Sequence, residues 1–571
     1  MTDTTVAAAG AAGVASNALF EQHRATLEGA LEALRVRGYW SPYPEMPSGK
    51  IYGESAKADA DAAFEAMRGR PFELDQPGAA GTVGAEESPY GFPLGITYPK
   101  ADPDALVAAA KAAGARWAER AVEDRVGICL EILHRLNRQS FLIANAVMHT
   151  SGQSFVMAFQ AGGPHAQDRG LEAVAFAYDE MHRVPGAVRW EKPQGKNPPM
   201  VLDKTFRIVP RGVGLVIGCA TFPTWNSYSA MFANLATGNA VIVKPHPMAI
   251  LPLAITVRIA REVLAEAGAD PNAVLLAADD PRAPVTKAYV EHPGIDLIDF
   301  TGSPAFGSFV RAAARGRPVF TEEAGVNPIV VLSTDDFKGM CGNIAFSLSL
   351  YSGQMCTAPQ NIFVPKDGIE TSEGHKTVEE VEAGIATALD RLLGDPDRAM
   401  AILGAVQNLV TMGRIDAARR LGRIVRDSAP VTGPNVPSGA RTATPLVIAV
   451  DASDEAVYLE ECFGPISFVV RAESPDDAIG RAATSARVRG AITASIYSTD
   501  EAEIDRAATA FAEAGAPLSV NLTGQILVNQ SAAFSDYHVT GLNPAGNASL
   551  TDAAFVANRF RVATVRRQAA A

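Results

Sequence analysis

Residues 211–222, RGVGLVIGCATF, form a short run of apolar and β-branched residues bounded by glycines. Runs of this length without alternation are typical of strands buried in a parallel sheet. A second such run, GNAVIVKPH, occupies residues 238–246, and residues 251–268 follow with helical spacing that ends at a glycine. The strand pattern returns in residues 294–304, GIDLIDFTGSP. This alternation predicts a doubly wound α/β region.

A second α/β region is predicted from about residue 325 onward. Its strand-like segments are PIVVL, NIFVP, PLVIAV, PISFVV and GAITASIYS, separated by helical patterns such as VEEVEAGIATALDRLL. Upstream, residues 102–153 have helical spacing throughout, and Asp102 with Pro103 is a favourable N-cap and first position. The basic tail, NRFRVATVRRQAAA, is interpreted as a solvated or fraying end.

Residues 1–100 differ from the rest. Residues 19–38 have the apolar spacing of a helix that ends at glycine, and the passage YWSPYPEMPSGKIYG after them is rich in turn formers and should be irregular. The first 20 residues lack the positive segment of a signal peptide.

Composition excludes several classes of function. The chain has 571 residues and a formal net charge of -13, so it offers no basic field for nucleic acid or an anionic membrane. The five cysteines form no CxxC pair, which argues against a zinc site or a disulfide framework, and no apolar run reaches the length of a membrane span. We expect a cytoplasmic, reduced, soluble protein without a metal.

Cys356 lies in SGQMCTAPQN, between a Gly-Gln pair and a small polar stretch. A single cysteine in a chain of this size is usually a small core residue. A nucleophilic role would require a nearby base and a partly open, electropositive setting. The remaining cysteines are interpreted as core residues: Cys129, Cys219, Cys341 and Cys462.

Polar candidates stand in five other segments, each with an ordinary structural interpretation when taken alone. FTEEAGVNP holds two adjacent carboxylates that could be a solvated pair. FTGSPAFG could open a helix at a phosphate, because glycine lets the backbone approach and helix N–H groups attract anions, although it lacks the GxGxxG pattern. Lys244 ends a strand at the edge where such sheets bind cofactors. Asn226 lies in a Pro-flanked aromatic turn, and LEECFGPIS would pass as a turn.

The order and spacing of these segments resemble the aldehyde dehydrogenase superfamily over roughly residues 100–560. The matching motifs are FPTWN, LATGNAVIVKP, FTGS, EEAGVNP, GQMC and EECFGP. The resemblance implies a Rossmann-type cofactor domain, an α/β catalytic domain and a β oligomerisation arm. It also implies a nucleophile at Cys356 and an oxyanion donor at Asn226. The implied cofactor residues are Lys244, Thr301, Gly302, Ser303, Gly307, Glu461 and Phe463.

Two departures from the family pattern bear on chemistry. In EEAGVNP two glutamates compete for the general base, and alignment on the Asn-Pro pair selects Glu322 over Glu323, 34 positions before Cys356. Acylating relatives lack this glutamate and use CoA, so Glu322 implies that water releases the acid. Relatives that prefer NAD often carry a glutamate where this chain has Pro247, which makes NADP the preferred cofactor, with NAD tolerated.

The N-terminal stretch and the segment MHTSGQSFVMAFQAGGPHAQDRGLEAVA look like the PaaN-type aldehyde dehydrogenases of phenylacetate degradation. That likeness implies oxidation of the ring-opened, CoA-linked semialdehyde (3-oxo-5,6-dehydrosuberyl-CoA semialdehyde) to its carboxylate. Since some relatives carry a fused enoyl-CoA hydratase, a separate hydratase partner is expected here. The alternatives are a general aldehyde or semialdehyde dehydrogenase, or a non-catalytic scaffold with the same fold.

The resemblance also suggests how the chain is divided. We expect an N-terminal extension, a cofactor domain with an arm around residues 186–206, a catalytic domain, and a C-terminal segment that joins subunits of a homodimer or homotetramer. The predicted bounds are 1–100, 101–322, 323–530 and 531–571.

Overall fold

The computed structural model describes residues 4–323, 325–527 and 532–569, with side chains from residue 18 onward. None of the helices in these ranges combines the length and apolarity needed to cross a bilayer. The helices are α1 (Thr4–Val36), α2 (Gly49–Tyr52), α3 (Ala56–Met67), α4 (Pro103–Ala118), α5 (Val122–Arg138), α6 (Ser140–Ser151), α7 (Phe155–Gly162), α8 (Pro164–His182), α9 (Pro223–Ala236), α10 (Leu251–Glu266), α11 (Thr286–Glu291), α12 (Pro304–Ala313), α13 (Phe337–Ser349), α14 (Val378–Leu393), α15 (Pro396–Leu403), α16 (Leu409–Ala418), α17 (Glu455–Tyr458), α18 (Pro475–Arg489), α19 (Glu501–Glu513) and α20 (Ala553–Ala557), with 3-10 turns at Pro271–Ala273 and Leu350–Gly353.

The described strands fall into two large sheets, a three-stranded arm, a second small sheet of three strands (β13, β15 and β16) and two short pairs. They are β1 (Ala79–Val83), β2 (Glu87–Ser88), β3 (Phe92–Pro93), β4 (Tyr98–Ala101), β5 (Ala187–Gln194), β6 (Asn197–Pro210), β7 (Val213–Ile217), β8 (Ala240–Lys244), β9 (Val274–Leu276), β10 (Leu297–Gly302), β11 (Val319–Glu323), β12 (Asn327–Val331), β13 (Ser333–Thr334), β14 (Pro359–Pro365), β15 (Ile369–Thr371), β16 (Gly374–Lys376), β17 (Arg423–Arg426), β18 (Leu446–Asp451), β19 (Ile466–Ala472), β20 (Ala494–Tyr497), β21 (Leu518–Val520) and β22 (Phe560–Gln568).

The first large sheet is parallel, in the order β11-β10-β7-β8-β9. Its central strand β7 is buried along its whole length, which explains the uninterrupted apolar run that predicted it. Successive side chains of β7 enter different cores: Leu215 packs with α4, whereas Val216 packs with α9 and α10. Helices therefore cover both faces, and the predicted doubly wound fold is confirmed.

The second large sheet has the order β17-β18-β19-β14-β12-β20-β21 and is parallel except for its edge strand β17. It contains the strands predicted from the five apolar segments after residue 325. The chain passes from the first sheet to the second between β11 and β12. The proposed domain bounds remain predictions, and the one between residues 530 and 531 lies outside the described residues.

The N-terminal region packs against the helices that precede the first sheet. Helix α1 lies on α5 and α8, and α3 lies on α6. Asp102 caps α4 as predicted, because its carboxylate accepts from the Ala105 N–H at 3.0 Å. The passage after α1 is irregular as far as Ser48, but its last residues form the helical turn α2 rather than continuing as a loop.

The C-terminal tail corrects one sequence prediction. Instead of fraying, residues 560–568 form β22, which pairs antiparallel with β6 from Phe560–Pro210 to Gln568–Leu202. With β5 these strands make a three-stranded sheet. The tail was wrongly interpreted as a fraying end because its arginines mask alternating β-branched residues, and because the free edge of β6 that it satisfies is distant in sequence. The residues of β22 after Phe560 are exposed, as expected for a solvated segment.

Candidate active site

Two cavities meet at Cys356. The sheet-edge cavity, of ≈ 510 Å³, lies where β7, β8 and β10 end and is lined by Lys244, Ser303 and Phe463 among others. The aromatic cavity, of ≈ 430 Å³, lies on the other side and includes Trp40 and Trp225. Cys356 and Phe222 line both cavities. A ligand in either cavity can therefore reach the same sulfur atom.

The loop before Cys356 is held in an unusual backbone conformation. Tyr351, Ser352 and Gly353 have φ values of 50°, 51° and 62°. The left-handed region costs the two non-glycine residues on the order of 1–3 kcal/mol each. A Cβ on Gly353 would lie 2.5 Å from the Gly464 carbonyl oxygen, so only glycine fits there. The surrounding contacts must offset this strain.

Side chains of the loop supply those contacts. The Tyr351 hydroxyl donates to the Ser151 carbonyl at 2.5 Å, and the Ser352 hydroxyl donates to the Leu403 carbonyl at 3.1 Å. Gln354 Oε1 accepts from the Gln407 N–H at 2.8 Å. The loop that carries the cysteine thus requires both residues of the Gly-Gln pair: glycine because a Cβ would not fit, and glutamine because its side chain bonds to the Gln407 backbone.

Glu322 places a carboxylate beside the thiol. It lies on β11, is buried, and has a carboxylate oxygen within 4.8 Å of the Cys356 sulfur. The sulfur, a Glu322 carboxylate oxygen and a His538 ring nitrogen all lie within 4.8 Å of one another. Burial raises the pKa of the Cys356 thiol well above its ordinary value, and the Glu322 charge adds to that rise. The resting sulfur is therefore a thiol beside a carboxylate.

The neighbouring Glu323 occupies the other face of β11. Its carboxylate pairs with Arg311 of α12. A Cβ at Gly307 would lie 2.3 Å from the Glu323 carboxylate, so the glycine leaves space for this ion pair. Gly307, predicted as a cofactor residue, thus packs against a structural carboxylate one turn into α12.

Asn226 lies in the first turn of α9, where its amide meets the same carboxylate. Its Nδ2 donates to Glu322 Oε2 at 2.8 Å, and its Oδ1 accepts from the Cys219 thiol at 3.4 Å. An amide nitrogen carries two hydrogens, so one N–H remains for a ligand beside Cys356. Cys219, interpreted as a core residue from the sequence, lines the sheet-edge cavity.

Five further predicted cofactor residues surround Lys244 in the sheet-edge cavity: Thr301, Gly302, Ser303, Glu461 and Phe463. Lys244 Nζ donates to Asp279 Oδ1 at 2.7 Å, and both side chains are buried. Sequence reasoning missed Asp279, since nothing in the sequence near residue 279 marks it as the partner of a lysine on β8.

The sheet-edge cavity has the chemistry that a dinucleotide needs. The N-terminus of α12, capped by the Ser303 hydroxyl at 3.4 Å from the Phe306 N–H, presents backbone donors suited to phosphate. Glu461 offers a half-buried carboxyl for hydroxyl groups, and desolvation raises its pKa to about 7. Phe463 is held in place by Arg414, which donates to its carbonyl.

The aromatic cavity is covered by the irregular passage that follows α1. Tyr39, Trp40 and Tyr43 line it, together with the buried Asp168. The Ser41 hydroxyl donates to Asp168 Oδ1 at 2.9 Å, which fixes the passage on α8. Sequence reasoning left this passage without a role, although its density of aromatic residues was a usable signal.

The sequence matches a known family of enzymes over most of its length. Residues 97–549 match the model of the aldehyde dehydrogenase family. The chain belongs to the aldehyde dehydrogenase family. It is an NAD(P)-dependent enzyme, and the predicted superfamily is confirmed, as is its fold.

Individual relatives agree with this assignment. A crystal structure titled NAD-dependent aldehyde dehydrogenase from Burkholderia multivorans is 57% identical, with a TM-score of 0.95 over 97% of this chain and 99% of that one. Benzaldehyde dehydrogenase [NAD(+)] of Pseudomonas putida is 27% identical over 66% of this chain and 72% of its own length. Thermus thermophilus 1-pyrroline-5-carboxylate dehydrogenase shares the fold at 20% identity, with a TM-score of 0.72 over 93% and 99% of the two chains.

Proposed function

We propose that this aldehyde dehydrogenase oxidises an aldehyde to a carboxylic acid through a thioester on Cys356, which water then hydrolyses. The observation that carries the proposal is that a Glu322 carboxylate oxygen lies within 4.8 Å of the Cys356 sulfur at the junction of two cavities. One cavity suits the cofactor and leaves the other for the aldehyde. Loss of turnover in Cys356→Ala, and a single burst of NAD(P)H without steady turnover in Glu322→Gln, would support this proposal, and full turnover in either variant would contradict it.

The proposed reaction begins with transfer of the Cys356 proton to Glu322. The thiolate attacks the aldehyde carbon, a C–S bond forms, and the carbonyl oxygen becomes an oxyanion. The second N–H of Asn226 and the backbone N–H of Cys356 donate to that oxygen, worth about 3 kcal/mol for a well-placed donor. NAD(P)⁺ supplies the hydride acceptor when bound. Glu322 releases the proton that it took from Cys356 to solvent, and the carboxylate then takes a proton from the water that attacks the thioester. The C–S bond breaks, and the acid leaves with Cys356 restored as a thiolate.

We propose the CoA-linked semialdehyde of aerobic phenylacetate degradation as the substrate. The likeness of the N-terminal passage to PaaN-type enzymes supports this, because that passage forms one wall of the aromatic cavity. The cavity is lined mainly by aromatic and aliphatic side chains, which suits an extended acyl chain. The separate enoyl-CoA hydratase and the cytoplasmic location remain predictions.

A general aldehyde dehydrogenase is the second candidate. The name of the Pseudomonas putida relative, a benzaldehyde dehydrogenase, and the aromatic lining of the cavity favour it. Comparing kcat/KM for a CoA-linked aldehyde, its free analogue and benzaldehyde separates the two. Higher efficiency with the CoA-linked compound supports the first candidate, and preference for free aldehydes supports the second.

We propose that the cavity accepts NADP as well as NAD. Pro247 lines the sheet-edge cavity and presents no carboxylate to a 2′-phosphate. Two observations argue against a strong preference for NADP. Lys244 pairs with Asp279, which neutralises the positive charge that would attract a 2′-phosphate. A 57% identical structure is described as an NAD-dependent aldehyde dehydrogenase.

The variant Pro247→Glu is expected to lose NADP selectively. A carboxylate there repels the 2′-phosphate, so KM for NADP should rise about tenfold, or about 1.4 kcal/mol, while KM for NAD changes little. Steady-state kinetics with both cofactors measure this, with Pro247→Gln as the uncharged control. Equal losses for both cofactors would show that residue 247 does not face the ribose.

We propose that the arm joins subunits of a homodimer or homotetramer. Residues opposite each other in the β5–β6–β22 register share a face, and one face of the arm collects Val188, Met200 and Val562. All three are exposed in the single chain. The opposite face carries mainly charged and polar residues. A second copy covering the apolar face would remove this surface from water.

The variant Val562→Asp is therefore expected to dissociate the oligomer. A charge buried in an apolar interface destabilises it strongly. Light scattering after gel filtration should show the mass falling toward the 60.0 kDa of one chain. Val565→Asp is the matched control, because it places the same charge on the polar face of the same strand, where assembly should survive. An unchanged mass in both variants would exclude this face as the interface.

A further inference from the structure

His538 contacts the base that the proposed reaction uses. Its Nε2 lies 3.0 Å from Glu322 Oε1, while Asn226 donates to the other carboxylate oxygen. Both His538 and Glu322 are buried. Each oxygen of the Glu322 carboxylate thus has its own nitrogen neighbour, and the carboxylate plane is fixed with respect to the Cys356 sulfur.

His538 is itself held in place from several sides. Its backbone N–H donates to Thr551 Oγ1 at 3.0 Å. Its ring meets Trp225 edge to face at 4.8 Å, and the Arg169 guanidinium lies 4.6 Å from the same indole. The imidazole lines the aromatic cavity, whereas Glu322 lines the sheet-edge cavity. This ring is therefore the link between the base and the aldehyde side of the site.

The surroundings of Glu322 make its ionisation costly without such a partner. Burial alone raises the pKa of a carboxyl group, since it removes water from the charged form. Burial acts in that direction on Glu322, yet its pKa lies below the ordinary value, with His538 the foremost opposing cause. Cys356 and Arg169 add smaller effects in the same direction. The facing thiol of Cys219 is neutral, because burial raises its pKa to about 11.

We propose that His538 is a positioning residue that keeps Glu322 ionised and oriented as the base for Cys356 and for water. This rests on the proposed function of Glu322. The approach of Nε2 to within 3.0 Å of Oε1 stabilises the carboxylate, which leaves the Cys356 proton with an acceptor. When the S–H bond breaks, its proton forms an O–H bond on Glu322, and the electron pair stays on sulfur as the thiolate. Without His538, the raising effect of burial on the pKa of Glu322 is opposed less, so a larger share of the carboxyl is protonated at low pH and cannot accept.

The test compares His538→Leu with His538→Gln. Leucine fills part of the same space but has no N–H donor, whereas the glutamine side chain retains an N–H. The probe is iodoacetamide, and the rate of Cys356 alkylation is followed against pH by peptide mass spectrometry. In His538→Leu, the low-pH part of the curve of alkylation rate against pH (its acid limb) should shift to higher pH by about one to two units. A shift of that size corresponds to the free energy of a hydrogen bond to a charged group. Alkylation should therefore slow about 10- to 100-fold at low pH and recover at high pH.

His538→Gln should restore most of the lost rate at low pH. His292→Leu is the control, because His292 pairs with the exposed Asp104 away from both cavities. An acid limb that does not move in His538→Leu, or a loss equal at every pH, would overturn the proposal and leave His538 a packing residue. Equal losses in the leucine and glutamine variants would overturn it as well.

Infrared spectroscopy keeps the test decisive if His538→Leu does not fold. The difference spectrum between the parent enzyme and Glu322→Gln should lack a protonated carboxyl band at neutral pH. Such a band in the parent would contradict the proposal. Failure of the proposed function is distinguishable, because it would appear as full steady-state turnover in Glu322→Gln, whatever the His538 variants do.

Discussion

Replacement of Cys356 by alanine is expected to abolish aldehyde oxidation while the fold and cofactor binding persist. Without the sulfur no C–S bond can form, so the aldehyde cannot be oxidised through a covalent thioester. We expect kcat to fall by on the order of 10⁴-fold or more, as when other nucleophiles are removed. Initial rates of NAD(P)H formation measure the loss, and cofactor titration by fluorescence shows that the sheet-edge cavity is intact.

Cys129→Ala is the matched control for that variant. Cys129 is also a buried thiol, but it lies on α5 in the hydrophobic core and lines neither cavity, and burial raises its pKa to about 12. Its replacement should lower stability by about 1 kcal/mol and leave kcat unchanged. Turnover retained in Cys356→Ala, or a comparable loss in Cys129→Ala, would remove Cys356 from the role of nucleophile.

The cysteine also explains why the loop around it is strained. Left-handed residues at positions 351 and 352 are unfavourable, and the loop adopts them only because its side chains bond to α6 and to the end of α15. A relaxed loop would change the direction of the sulfur relative to Glu322. Backbone strain stored at a reacting group of this kind is typical of functional sites.

Much of the fold could be predicted because the decisive signals are local. The apolar run of β7 and the glycines around it indicate a buried parallel strand without reference to any other segment. The order of the motifs then indicated Glu322 and Cys356, and the structure brings these two residues together. The local apolar pattern was therefore enough to predict the strand, and the order of the motifs along the chain was enough to pair Glu322 with Cys356.

The contacts that sequence reasoning missed all join distant parts of the chain. Lys244 ends a recognisable strand, but its partner Asp279 stands in a segment without a pattern. His538 reaches Glu322 only because the residues after β21 fold back over β11. The pairing of β22 with β6 is of the same kind. Periodicity indicates which face of an element is buried, but it does not indicate which remote residue covers that face.

Replacement of Glu322 by glutamine is expected to separate the two halves of the reaction. The amide that replaces the carboxylate cannot accept a proton from water, so hydrolysis of the thioester should slow by about 10²- to 10⁴-fold, the usual contribution of a general base. The first turnover should still deliver close to one equivalent of NAD(P)H per site, because the thiol can lose its proton to solvent. Stopped-flow absorbance would show this burst, followed by slow steady-state formation.

The burst itself should be slower than in the parent enzyme, and its rate should increase with pH. Glu322 is the proposed acceptor of the Cys356 proton, and burial raises the pKa of the thiol, so without that acceptor the thiolate forms only by loss of the proton to solvent. Intact-mass spectrometry should find the acyl group on Cys356 during the slow phase. Hydroxylamine, a nucleophile that needs no general base, should release it.

Glu323→Gln provides the matched control on the adjacent residue. Glu323 pairs with the partly exposed Arg311 on the opposite face of β11, so loss of its charge should reduce stability modestly and leave both the burst and the steady state unchanged. A burst phenotype in Glu323→Gln would transfer the role of base to that residue. If Glu322→Gln instead accumulated no acyl-enzyme and kept its turnover, water would not be activated by this carboxylate. The three outcomes are separable because neighbouring residues on a β-strand point to opposite faces, so the two substitutions change different sides of β11.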